Sequence, residues 1–244
     1  WLNFRGERLG NPPLVSGFDT RYLVEQVCQQ EKKYSWQVLN RKIALKELNV
    51  SGSLYNDAIR EQRVLGFVKN LLLGNHGLLH TLTERCEDFL VADSLEELGR
   101  KMNALTGSED IDPQRLREVV EAYDQAVRSG DPAADAQQQL IAQLRAYRGD
   151  RMRTLAHQPI LDPQGGPLIA IREFVLARKS LGGIQTDLQG RVLTPGGEPI
   201  MGLYAAGESA GFGGGGIHGL RALEGTFLGN CIFNGRVVAR AIGG

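Results

Sequence analysis

Cysteine is scarce and scattered. Cys28, Cys86 and Cys231 are the only three in 244 residues. An odd number so widely spaced gives no disulfide framework, and no C-x-x-C pair offers metal-ligand spacing. The expectation is a reducing, cytoplasmic setting. Net charge is absent too, with 28 basic residues against 28 acidic ones. Without a basic surplus there is no electrostatic case for nucleic acid or for an anionic membrane. No apolar run reaches the ~20 residues of a membrane span. A starting Met is also lacking. "WLNFRGERLGNP" reads as strand, turn and more chain, so no signal peptide is expected there. The polypeptide is expected to be part of a longer protein, removal of a tag being the other source of such a start. No metal is expected either. His76 and His80 stand four apart, but the metalloprotease pattern needs Glu directly after the first His, and Gly77 is there.

What is present is the 42% apolar and 23% charged balance of a globular chain, enough for a sizeable core in one or two domains. The first 160 residues read mainly as helix. The opening is the exception, with Arg5-Gly6 at a turn between short extended pieces. "DTRYLVEQVCQQEKK" places Tyr22, Leu23, Gln26, Val27 and Gln30 at helical spacing, and Ser51 to Leu73 predicts helix with a looser period. Phe89 to Ala92 predicts a short strand. Ser94 and Glu97 form an S-x-x-E capping box for a helix whose apolar face is Leu95, Leu98, Met102 and Leu105, with Gly107 at its end. Asp112 and Pro113 are the N-cap and first position of the next helix. Leu116, Val119, Val120, Tyr123, Ala126 and Val127 stripe it, and Gly130 follows. A further helix is expected around Ala136 to Tyr147.

The composition shifts near Pro159 to Pro167, which places one domain over 1–165 and another over 166–244. In the second, Ile184 to Asp187 and Arg191 to Thr194 predict a hairpin across Gln189-Gly190. Ile200 to Ala206 predicts a buried strand. A last helix is expected over Gly225 to Ile242, with Leu228, Cys231, Ile232, Val238, Ala239 and Ile242 toward the core. Gly229 and Gly235 would let it approach a sheet closely.

Between that strand and that helix lies "AAGESAGFGGGGIHG", with seven glycines in fifteen residues. Each costs conformational entropy on folding, so the cluster implies positive φ or a ligand against bare backbone. Glu208 at the strand end can accept hydrogen bonds from ligand hydroxyls. The glycines let backbone lie flat on a planar ring. The helix start offers free N–H groups and a positive dipole end, suited to an atom that gains negative charge. Sugar hydroxyls, a flat ring and developing negative charge together describe a reduced flavin.

"GGIQTDLQGRVL", "GEPIMGLYAAGE" and "GGGGIHGLRALEGTFLGNCIFNGRVVAR" resemble the C-terminal part of the fumarate reductase / 3-ketosteroid dehydrogenase flavoprotein superfamily, in its FAD-binding dehydrogenase subgroup. Upstream, "NFRGERLGNP", "FLVADSLEELGRKM" and "IDPQRLREVVEAYDQAVRSG" resemble segments of its capping domain. The resemblance implies an α+β fold: a mainly helical cap over 1–165, then the C-terminal β-plus-helix part of a Rossmann-like FAD-binding domain over 166–244. It implies FAD as cofactor and hydride transfer between flavin N5 and a C–C bond next to a carbonyl. Glu208 would contact a ribose or the ribityl chain. Gly182 and Gly183 would lie near the isoalloxazine, and Gly207, Gly215 and Gly216 would be further cofactor-binding positions. Backbone N–H groups over Gly225, Thr226, Phe227 and Leu228 would face the pyrimidine edge. His218 and Arg221 are the catalytic candidates.

Two departures limit the resemblance. The dinucleotide fingerprint G-x-G-x-x-G is absent, so the chain reads as the second half of a flavoprotein, with the N-terminal half as partner. Fumarate reductases carry His-Gly-x-x-Arg-Leu; here Ala222 holds the Arg position and Arg221 stands one residue early, which argues against a dicarboxylate. The tyrosine pair of ketosteroid dehydrogenases is not evident, so the substrate is a small carbonyl-containing molecule of unspecified kind. Plainer readings stay open beside these: His218 as a loop histidine, Arg221 paired with Glu224, Glu208 as a solvated acid, and Arg178-Lys179-Ser180 as a solvated basic patch. At the level of the whole chain, the alternatives are a non-catalytic binding module and, lacking the fingerprint, a nicotinamide enzyme.

Overall fold

The stretch Leu168–Phe174 opens with Leu-Ile-Ala-Ile, and all four residues are buried. A continuous apolar run suits a strand covered on both faces. The computed structural model describes residues 1–13, 20–48, 56–146, 155–176, 182–211 and 226–243. In it this strand is the middle of a three-stranded antiparallel sheet, between β1 (Tyr34–Asn40) and β2 (Phe89–Ala92), and is β3 in chain order. Tyr34 lies opposite Phe174 and Asn40 opposite Leu168. On the other side Phe89 lies opposite Ile171 and Ala92 opposite Leu168. Around the sheet run α1 (Thr20–Gln29), α2 (Arg41–Glu47), α3 (Asp57–Arg60), α4 (Val64–Leu73), α5 (His76–Arg85), α6 (Leu95–Thr106), α7 (Pro113–Ser129) and α8 (Ala136–Arg145).

Alternation along β3 divides the core. Leu168 and Ala170 pack with Trp36, Leu98 and Met102 of α6, and Leu116 and Val120 of α7. Ile169 and Ile171 face Leu39, Ala44 of α2 and Leu79 of α5. The caps of α6 and α7 form as the sequence predicts. Ser94 Oγ accepts from the Glu97 N–H at 3.2 Å, and the Glu97 carboxylate accepts from the Asp93 N–H at 3.1 Å. Asp112 Oδ1 accepts from the Gln114 N–H at 2.8 Å, and Gly107 and Gly130 close the two helices with φ of +62° and +67°. Asp124, on α7, has no exposed surface. It accepts from the N–H groups of Ile160 and Leu161 at 2.6 and 2.7 Å, tying the 155–161 segment to the helix.

Among the described residues the first 160 are mainly helix, as read. β1 adds a strand that no local signal announced, because Trp36 and Tyr34 find their partners on distant β3. One expectation needs correction here. The helix expected over Ser51 to Leu73 is broken: residues 51–55 lie outside the described set, and Gln62, at φ +53°, separates α3 from α4. The chain forms two compact units, one of Trp1–Phe18 and Tyr22–Val175, the other of Asp19–Arg21 and Leu176–Gly244. β3 belongs to the first because both of its pairing partners do.

In the second unit β4 (Arg191–Leu193) pairs antiparallel with β5 (Pro199–Tyr204), and α9 spans Thr226–Gly243. The expected hairpin across Gln189-Gly190 is present as a single bridge, Thr186 to Val192, with the Leu193 N–H donating to the Gln185 carbonyl at 2.9 Å. Asp187 holds the turn, accepting from the N–H groups of Gln189 and Arg191. The strand at Ile200 to Ala206 is not buried: Met201 is 89% exposed and Leu203 48%, since only Ala205, beyond the strand, is covered. On α9, Cys231 and Val238 are partly covered, whereas Leu228, Ile232, Ala239 and Ile242 are exposed. Gly229 and Gly235 face open space. The close approach to α9 is made instead at Gly190, where a Cβ would run into Val238 Cγ2. No helix among the described residues is long and apolar enough to cross a membrane.

Candidate functional site

β5 leads directly into a tight turn. Ala205 is buried and its N–H donates to the Gly190 carbonyl at 3.0 Å. Ala206 is extended, then Gly207 takes φ +65° and starts a single 3-10 turn over Gly207–Ala210. Gly211, at φ +99°, closes it, its N–H donating to the Glu208 carbonyl at 3.1 Å. Both positive φ values lie where side chains are strained, which explains two of the seven glycines without a ligand.

A second segment lies against this turn. The Ile184 N–H donates to the Ser209 carbonyl at 2.8 Å. A Cβ on Gly183 would meet the Gly211 nitrogen and stand 2.6 Å from the Ala210 carbonyl carbon. The contact is therefore backbone on backbone. α9 touches the same turn from another side: a Cβ on Gly207 would stand 3.7 Å from Cys231 Sγ. The structure thus brings together Gly182, Gly183, Gly207 and Glu208, with the opening turns of α9 behind them. Glu208 and Leu228 are exposed. Thr226 begins α9 and Phe227 follows it. Gly215, Gly216, His218, Arg221 and Gly225 lie outside the described residues, as do Arg178, Lys179, Ser180 and Glu224.

Sequence reasoning missed the parts played by Ser209, Gly211 and Gly190. The signal for Gly211 was available in its spacing of four from Gly207; the other two act through backbone carbonyl or close approach, which residue type does not announce. His76 and His80 are exposed on α5, and no group of three His, Cys, Asp or Glu among the described residues could hold a metal. Chemically, the assembly offers bare backbone, an exposed carboxylate at its edge, and a helix start whose first N–H groups have no partner within the helix.

Residues 5–228 match the family described as FAD binding domain. A KsdD-like steroid dehydrogenase of Mycobacterium tuberculosis (strain CDC 1551 / Oshkosh) is 44% identical over 242 residues, covering 98% of this chain and 42% of that protein. A KsdD-like steroid dehydrogenase of Mycolicibacterium smegmatis (strain ATCC 700084 / mc(2)155) is 41% identical over 229 residues, 93% of this chain and 42% of that protein. The chain therefore spans about two fifths of the length of these relatives. The solved open conformation of a flavocytochrome c3 fumarate reductase aligns with a TM-score of 0.51 at 18% identity, over 98% of this chain and 31% of that one, a likeness of fold. The resemblance to fumarate reductase and ketosteroid dehydrogenase flavoproteins holds, and the cofactor of the family is FAD. With a match that reaches from Arg5 to Leu228, the chain belongs to the FAD binding domain family of flavin-dependent oxidoreductases.

Proposed function

We propose that the chain is the cap and the C-terminal part of the FAD domain of a dehydrogenase or reductase acting on a C–C bond beside a carbonyl. The first compact unit is the cap; the second is the flavin-facing part. The observation that carries this reading is the glycine turn, where Gly183 lies on Gly211 with no side chain between them, Glu208 at the edge and α9 starting beside it. That cradle fits the flavin end of FAD. When bound, FAD supplies a hydride acceptor or donor, the step side chains cannot perform. The chain's own contribution is positioning. Glu208 accepts from sugar or ribityl hydroxyls, and the N–H groups of Gly225 and of the first α9 residues, Thr226, Phe227 and Leu228, are assigned to offset negative charge at the pyrimidine edge. This reading assigns Gly182, Gly215 and Gly216 to cofactor binding and His218 to the substrate. Arg221 is the second candidate there. Its displacement by one residue from the fumarate reductase pattern disfavours a dicarboxylate. The relatives' name makes a ketosteroid the first substrate to try, and a cytoplasmic setting goes with the scattered cysteines.

The fingerprint that would hold the FAD pyrophosphate has to come from a partner segment. The exposed Ile200, Met201, Leu203, Leu228, Ile232 and Phe233 support such a partner, since covering large apolar side chains that stand in solvent is favourable. Alone, the chain should emerge colourless from gel filtration. Supplied with the N-terminal segment of the M. tuberculosis relative, it should retain flavin and desaturate a ketosteroid with an artificial electron acceptor. In that complex Glu208→Leu should raise the FAD dissociation constant about tenfold to hundredfold, the cost of a charge-assisted hydrogen bond. A colourless complex, or unchanged affinity in the variant, points instead to a non-catalytic binding module.

A further inference from the structure

In the first unit, α4 turns an apolar arc outward. Leu65 is 87% exposed and Leu72 72%, and Val64, Val68 and Leu73 are exposed with them. At 3.6 residues per turn Val64, Val68, Leu72 and Leu65 fall within an arc of about 100°, and Lys69 and Leu73 continue it. Beside the C-terminal end of this arc lies a recess of about 460 Å³. Leu72 and Leu73 form part of its wall, and Arg41, Lys42, Lys46 and His76 form another part. Among the described residues no acidic side chain lines it. Lys42 is balanced by Asp162 at 3.1 Å. Lys46 donates to the Leu71 carbonyl, which leaves its charge unopposed. Among the described residues no carboxylate forms an ion pair with Arg41, Lys46 or Lys69. At the other end of α4 the charges cancel, since Arg60 pairs with Asp57 and Glu61, and Arg63 with Glu61.

Zero net charge belongs to the chain as a whole; here an excess of cations borders exposed hydrocarbon. Water is the wrong neighbour for the arc, since covering a fully exposed Leu is worth about tenfold or more in binding. Side chains as exposed as Leu65 project from the surface, and a rigid partner would need a pocket for each. A fluid acyl layer covers them without one. Lys69, on the same arc, can lay its stem on that layer and keep its ammonium at headgroup level. We propose that α4 and the recess beside it are a peripheral docking face for an anionic lipid surface. Val64, Leu65, Val68 and Leu72 enter the acyl boundary, and Arg41, Lys46 and Lys69 meet the negative headgroups. The face is built wholly from first-unit residues and does not rest on the flavin reading.

Co-sedimentation of the 244-residue chain with vesicles tests this. Vesicles of phosphatidylcholine and phosphatidylglycerol in equal parts should carry the chain down, and vesicles of phosphatidylcholine alone should carry much less. Leu65→Gln and Leu72→Gln should each weaken binding about tenfold or more. Arg41→Gln and Lys69→Gln should each weaken it about fivefold on the anionic vesicles, the worth of one cation near such a surface. Should a leucine variant fail to fold, the two charge variants still decide. Met201→Glu and Phe233→Glu, in the second unit, should leave vesicle binding unchanged. The complex with the N-terminal segment of the M. tuberculosis relative should bind the vesicles as the chain does. No sedimentation, equal binding to the two kinds of vesicle, or undiminished binding in the α4 and Arg41 variants overturns the proposal. Loss of binding in the complex makes that segment the occupant of the face and overturns it too. So does displacement of the chain from vesicles by dihexanoyl phosphatidylglycerol below its micellar concentration, which would make the recess a site for single molecules.

Discussion

Asp124 shows how much one side chain can hold. Burial pushes its carboxyl up, while the N–H groups of Ile160 and Leu161 and the nearby Arg128 pull it down. Asp124→Ala would leave two N–H groups stranded in the interior. At about 1–3 kcal/mol for each of two buried unpaired donors, a loss of about 2–6 kcal/mol is expected. Urea unfolding followed by tryptophan fluorescence measures it, since Trp1 and Trp36 both report the first unit. Glu173, on β3, supplies a pH signature. Burial raises it from 4.5 to about 7, with the Trp1 amino group pulling the other way. The unfolded chain then ionises first as pH rises. Between about 4.5 and 7 the folded state holds more protons, so stability should fall with rising pH across that window. Glu173→Gln should flatten that slope; an unchanged slope in the variant shows that other groups set it.

Among the elements, those specified by neighbours in sequence were legible and those specified at a distance were not. The helices α6 and α7 carry their own stop and start signals in Ser94, Glu97, Gly107, Asp112, Pro113 and Gly130, and each forms where expected. β1 carries no local signal of that strength; its polar flanks hide it, and its partner is β3, far along the chain. The apolar run of β5 reads as buried because hydrophobicity predicts what a segment wants to cover, not whether this chain covers it. The glycine segment stood out in the sequence by composition, and Gly182, Gly183, Gly207 and Glu208 do come together. What could not be read was that one backbone lies on another. That contact gives a paired test. Gly183→Ala must push the 182–184 segment off Gly211, because backbone stands on both sides and neither can yield. Gly182→Ala meets nothing within 4 Å. Amide exchange at Ile184 should speed up in the first variant and stay unchanged in the second. Equal behaviour of the two would remove the contact from the account.

At the scale of the molecule, the first unit has a finished core, while among the described residues of the second the strand β5 and the helix α9 turn Met201, Leu228 and Phe233 to solvent. Substitutions there separate stability from assembly. Met201→Glu and Phe233→Glu should change the stability of the isolated chain by less than about 0.5 kcal/mol, as exposed positions do. They should weaken its association with the N-terminal segment of a relative, read by sedimentation. A large loss of stability in the isolated chain would mean these residues already have a partner within it.

The place of β3 carries a consequence for how the protein is made. The two outer strands of the sheet come early in synthesis, and the strand that joins them comes last. Until Leu168–Phe174 leaves the ribosome, β1 and β2 have no strand to bond with, since neither pairs with the other. Between the completion of β2 and the emergence of β3 a nascent chain thus carries two strands without their shared partner, the state in which chains stick to one another. Chaperone occupancy along the message should therefore be high between the emergence of β2 at Ala92 and that of β3 at Leu168, and should drop once β3 is out.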